Sequence, residues 1–149
     1  MTIVTHFARV LMGIMFLVFG LNGFLHFIPQ GPPPEGAAAQ FLGVLTVTHY
    51  FAFVFALQIA GGALLLVNRF VPLALCVIGP VIVNILLFHS LMEPHGIGPG
   101  CLALVFWVVV AISVRSALAG IFQMRVPRQA ETTQRHAVPL RPIADSGPV

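Results

Sequence analysis

The chain contains no lysine and only four acidic residues, Glu35, Glu93, Glu131 and Asp145. Charged residues make up 7% of its 149 positions, against about 25% in a typical soluble domain. That scarcity excludes a solvated globular surface. It leaves the net charge of +3 to seven arginines, Arg9, Arg69, Arg115, Arg125, Arg128, Arg135 and Arg141. They are expected mostly outside the bilayer and say little about nucleic acid, and no nucleic-acid partner is expected. Cysteine is equally sparse. Cys76 and Cys101 form no C-x-x-C pair, which argues against thiol–disulfide redox chemistry.

What is abundant is apolar. Hydrophobic residues account for 58% of the chain, and the mean hydropathy is +1.01. A water-soluble domain of this size has too little interior to bury that surface. The runs 10–34, 36–68, 70–92 and 94–114 carry no charge. Each can supply the roughly 20 residues that cross a hydrocarbon core. These features predict an all-α, polytopic membrane protein built as a four-transmembrane-helix bundle. The partner it must have is membrane lipid.

The first run is too long for the apolar part of a signal peptide and lacks a clear small-residue cleavage site, so it is read as a retained helix. The expected helices are 5–27, 40–67, 72–91 and 101–122. Pro29 and Gly31-Pro32-Pro33-Pro34 end the first, and Pro72 suits the first turn of the third. Gly79-Pro80 interrupts the third and favours a kink. With four spans every arginine falls on one side, while the loops 28–40 and 92–100 carry Glu35 and Glu93. The positive-inside rule then puts both termini in the cytoplasm. The opposite running directions of the third and fourth helices separate Cys76 from Cys101 and exclude a disulfide within one subunit. Residues 1–124 form the expected transmembrane domain. Residues 125–149, with four prolines and mixed charge, read as a disordered or loosely held cytoplasmic tail.

Polar side chains inside such a bundle need a reason. At about 1.5 Å per residue, His26, His49 and His89 fall toward the non-cytoplasmic end of three helices. Asn22 lies one turn below His26, and Asn84 sits near the middle of its helix. Gln58 lies slightly inward of centre, and its bland reading is structural. The depths suggest an outward-facing pocket containing Asn22, His26, His49, His89 and Glu93. Three uses fit it. Neutral imidazoles of His26, His49 and His89 ligate haem iron or another metal. Imidazoles relay protons in quinone reduction, with Asn22 and Asn84 as further cofactor-binding groups. A mixed aromatic and polar cavity also binds a small lipophilic molecule. The competing reading is that histidines near helix ends satisfy themselves among headgroups and that the asparagines join helices. Arg9 and Arg115 are expected to snorkel to the cytoplasmic headgroups.

Arg9 with Leu11-Met12-Gly13, the run Phe19-Gly20-Leu21-Asn22-Gly23, Phe41, the segment Ile59-Ala60-Gly61-Gly62-Ala63-Leu64-Leu65-Leu66, and Asn84 through Phe88-His89 resemble, as an ordered set, the DoxX-like family. The resemblance covers about residues 5–122. It implies a four-helix bundle of the bacterial inner membrane. Some relatives look like subunits of quinone-linked sulfur oxidoreductases, and others are linked to oxidative-stress complexes. Gly20 and Asn22 match the polar end of the family's first helix, where a lysine often stands that this chain lacks. Two functions follow as expectations. One is a membrane redox protein or subunit using a quinone or haem. The other is a non-catalytic accessory or assembly subunit, a homo-oligomer or a member of a membrane complex.

Overall fold

The computed structural model describes residues 2–29 and 31–122, and within them it is all-helical. Helix α1 spans Ile3–Leu25, α2 Gly36–Val47, α3 Tyr50–Leu66, α4 Val71–Leu91 and α5 Ile97–Ser113. A 3-10 turn, Pro94–Gly96, precedes α5, and a four-residue helix α6, Arg115–Leu118, follows it. A second unit begins at Ala119, of which the 3-10 turn Ala119–Phe122 is described. The expected boundary at 124/125 and the tail beyond it lie outside the described residues.

The exposed surface is apolar. Phe7, Phe53, Leu73, Val83, Leu87, Leu91 and Ile112 are all exposed, the reverse of a water-soluble protein. Helix α1, helix α4 and the stretch Pro94–Ser113 are each long and apolar enough to cross a membrane. A fourth span exists if α2 and α3, bent by 82° at a short break, count as one. The molecule is thus an all-α bundle of three or four apolar helices, as a polytopic membrane protein requires.

The second helix differs from expectation. The sequence predicts a continuous rod over 40–67, but it breaks at Thr48-His49, where His49 adopts φ 57°. No proline or glycine marks the spot. The side chains do it instead. Thr46 Oγ1 donates to the Leu42 carbonyl at 2.8 Å and Thr48 Oγ1 to the Val44 carbonyl at 2.7 Å. Such back-bonding competes with the helical ladder and bends it. By contrast, α4 runs unbroken through Pro80. Expected helix four stops early, α5 ending at Ser113.

Packing is tightest between α1 and α3. A Cβ built on Gly62 would lie 2.7 Å from the Leu17 backbone nitrogen and 2.8 Å from the Gly13 carbonyl oxygen, so the two backbones meet directly there. Close approach of this kind is how membrane helices gain packing energy without a hydrophobic drive. Helix α4 turns Val71, Ala74, Leu75, Ile78, Val81 and Ile82 inward. Trp107 of α5 donates its indole N–H to the Leu75 carbonyl at 3.0 Å.

Arg9 does not snorkel. Its residue is 2% exposed, and its Nη1 donates to the carbonyls of Leu65 and Leu66, the latter at 3.5 Å. Those carbonyls belong to the last turn of α3, where backbone acceptors lack intrahelical partners and the helix dipole is negative. Arg115 is exposed at the start of α6. Cys76 and Cys101 are both free, as expected.

A candidate ligand cavity at the histidine end

The N-terminus of α1, the C-terminus of α3 and the N-terminus of α4 lie at the end of the bundle marked by Arg9 and Arg69. At the other end, residues from α1, α2, α3, α4 and α5 surround a cavity of about 760 Å³. His26, His49, His89, Asn22 and Gln58 all line it. The convergence expected from depth is therefore present, although the local cause differs for each residue.

His26 closes α1. It adopts φ 52°, and its backbone N–H donates to the Asn22 carbonyl at 2.9 Å. Asn22 is 4% exposed and uses Oδ1 to accept from the Ile28 backbone N–H at 2.6 Å. Its first task is thus to hold the turn that ends α1. His49 stands at the α2–α3 break, in the left-handed conformation that histidine tolerates better than most side chains. Both His26 and His49 are exposed, so the hinge and the turn present them at the mouth.

His89 is fixed from the side. Its Nδ1 lies 2.7 Å from the Glu93 carbonyl oxygen. A carbonyl only accepts, so Nδ1 carries the proton and the neutral ring's Nε2 is left as an acceptor. Gly96 makes room for this ring, because a Cβ there would overlap the imidazole. Glu93 directs its carboxylate elsewhere, to His95 Nδ1 at 2.9 Å. Contrary to expectation, Glu93 does not line the cavity, and it acts on it only through the backbone carbonyl that holds His89.

Asn84 is placed differently from expectation. It is exposed on the outer face of α4 and does not line the cavity. The reason is rotation, which depth does not set: the inward face of α4 is the one carrying Ile78, Val81 and Ile82. Among the described residues, no group of three or more His, Cys, Asp or Glu side chains is placed to hold a metal ion. His26, His49 and His89 share a cavity without forming a metal-ligand set.

Two contributions exceed the sequence reading. Gln58 is 6% exposed, and its Oε1 has no hydrogen-bond partner among the described residues. A buried carboxamide oxygen without a donor is costly. Gln58 is among the residues that line the cavity, with this oxygen itself enclosed behind the wall. The wall beside it is aromatic: Phe51 stacks on Phe55 with ring centroids 5.5 Å apart, and Phe24 meets Phe55 edge-on at 5.9 Å. Phe51, Phe55 and Gln58 recur at helical spacing, a signal present in the sequence but hidden within a uniformly apolar run.

The site and fold together define a class: a polytopic α-helical membrane protein with an apolar, aromatic cavity holding a few polar groups at one end of its bundle. The chain matches no protein-family model, and comparison with curated proteins and with solved structures finds no significant match.

Proposed function

We propose that the protein binds a hydroxylated aromatic lipid of the quinol class in the cavity at its histidine end. The observation carrying this reading is the unpartnered Oε1 of Gln58, buried against an aromatic-walled volume of about 760 Å³. On binding, the Gln58 side chain turns so that this enclosed oxygen accepts a hydrogen bond from a ring hydroxyl. Nε2 of His89 is a second acceptor lining the same space. The phenylalanines pack the ring, and the apolar outer surface lets a tail reach the bilayer. The reading favours a quinol over haem because a carboxamide recognises a ring substituent and is not an iron ligand.

The chain is read in this proposal as a four-span protein of the bacterial inner membrane, akin to the DoxX-like family, with α2 and α3 forming one broken span. Arg9, Arg69 and Arg115 then face the cytoplasm with both termini, and the cavity opens on the opposite side. Broken helices are accommodated in membranes where the freed backbone lines a cavity, and His49 stands at such a break.

Titration of the protein in liposomes with a short-tailed benzoquinol and with its dimethyl ether tests the proposal. The ether keeps the ring and loses both donors. The quinol is expected to bind about tenfold more tightly, and Gln58→Leu to abolish that difference. Equal affinity for the two compounds, or binding of neither, rejects the proposal.

A further inference from the structure

Asn84 is unexplained by the cavity. It lies three residues past the middle of the 21-residue α4, about 4–5 Å from the centre of that span. Its side chain is exposed and makes no hydrogen bond among the described residues. In hydrocarbon such a carboxamide lacks even water as a partner. Leu73, Cys76, Pro80, Val83, Leu87 and Leu91 are exposed with it. Their spacing of three and four forms one continuous stripe. This stripe lies opposite the face that packs into the bundle. Pro80 adds a second polar group: lacking an N–H, it leaves the Cys76 carbonyl without its intrahelical donor on the same side.

We propose that this stripe of α4 is the interface for a second copy of the chain, with the two Asn84 carboxamides hydrogen-bonded across a twofold axis along the membrane normal. Two observations commit the surface to a second copy. Copies inserted with the same topology run parallel and place Asn84 at the same depth, so each supplies the polar partner the other lacks. A carboxamide is self-complementary, with donor and acceptor on one group, and two of them close a pair. A single asparagine in an apolar seam also fixes register. An unrelated partner would need a polar group at this depth by separate provision. The inference is independent of what the cavity binds.

The chain carries its own reporter, since Cys76 lies on the stripe and Cys101, the other cysteine, on α5. Full-length Cys101→Ser and Cys76→Ser variants in liposomes would be treated with a short bismaleimide. Energy transfer between labelled copies would be followed across lipid dilution. Cys101→Ser is expected to cross-link to a dimer and Cys76→Ser not to. Asn84→Leu is expected to weaken association about tenfold, while Asn84→Gln, which keeps the carboxamide, retains most of it. Circular dichroism on each variant confirms that the helices are intact. A protein monomeric at every lipid ratio overturns the proposal. So does Asn84→Leu associating like the parent chain, or cross-linking through Cys101 in place of Cys76.

Discussion

The guanidinium of Arg9 caps the C-terminal turn of α3 by donating to the carbonyls of Leu65 and Leu66, which joins the first helix to the third at the arginine end of the bundle. Among the described residues no carboxylate is involved. The positive charge is held by backbone acceptors at the negative end of a helix dipole, and His6 approaches Nη2 at 3.4 Å from one turn earlier. Arg9→Met keeps the bulk but removes the charged donor from both carbonyls, leaving Leu65 with its backbone turn bond from the Asn68 N–H. It should destabilise the bundle by about 2 kcal/mol, in the range for hydrogen bonds to charged groups. Arg9→Lys should recover part of this, because one ammonium nitrogen can donate to both carbonyls as Nη1 does but leaves His6 without the second nitrogen that approaches it. Thermal unfolding in micelles, monitored by circular dichroism, measures both.

The contact between Gly62 and the α1 backbone gives a second prediction. An added methyl would meet backbone atoms at 2.7 and 2.8 Å, and backbone cannot swing aside as a side-chain tip can. Gly62→Ala should therefore force α1 away from α3 and cost about 1–3 kcal/mol, the usual range for overpacking. Gly43 has nothing within 4 Å of an added Cβ. Gly43→Ala should leave the unfolding midpoint unchanged or raise it, since alanine is the better helix former. The pair of variants separates close packing from helix propensity within one assay.

The all-helical, membrane-embedded class was legible in the sequence because it follows from long apolar runs and from punctuation by Pro29, Pro72 and Pro94. The break at His49 was not. It arises from two threonines bonding back to their own helix, and threonine is common in unbroken membrane helices. Depth brought His26, His49 and His89 to one end because it depends only on counting residues. Rotation about the helix axis decided the rest: it turned Gln58 into the cavity and Asn84 out of it. Periodicity assigns rotation only where polar and apolar faces alternate, and in these helices nearly every position is apolar. The burial of Arg9 depended on where α3 ends, which no local pattern around Arg9 discloses.

His49 combines a backbone task with a side-chain task, and glycine separates them. Its φ of 57° is open to glycine without steric penalty and unfavourable for β-branched residues. His49→Gly should keep the bend and match or exceed the parent's stability by up to about 1 kcal/mol, while removing an imidazole from the cavity mouth. His49→Val should lose about 1–2 kcal/mol through strain at the same backbone position. Unfolding curves for the two variants give the comparison. A stability ranking with valine above glycine would show that the bend is not held by the left-handed conformation at this residue.

The seat of His89 is tested from its neighbour and not from the histidine itself. Gly96 leaves room for the imidazole, and a Cβ there would overlap the ring, whose Nδ1 donates to the Glu93 carbonyl across 2.7 Å. Gly96→Ala must move the ring, break that hydrogen bond and release the tautomer it selects. Nitrogen-15 spectra of the histidine-labelled protein read the tautomer directly. The parent should show a protonated Nδ1 at His89, and the variant a mixture richer in the form protonated at Nε2. Because the latter removes an acceptor lining the cavity, affinity for a benzoquinol should fall about three- to tenfold, the loss of one modest hydrogen bond. Unchanged nitrogen shifts together with unchanged affinity would mean that the ring is held by something other than the Glu93 carbonyl and the space over Gly96.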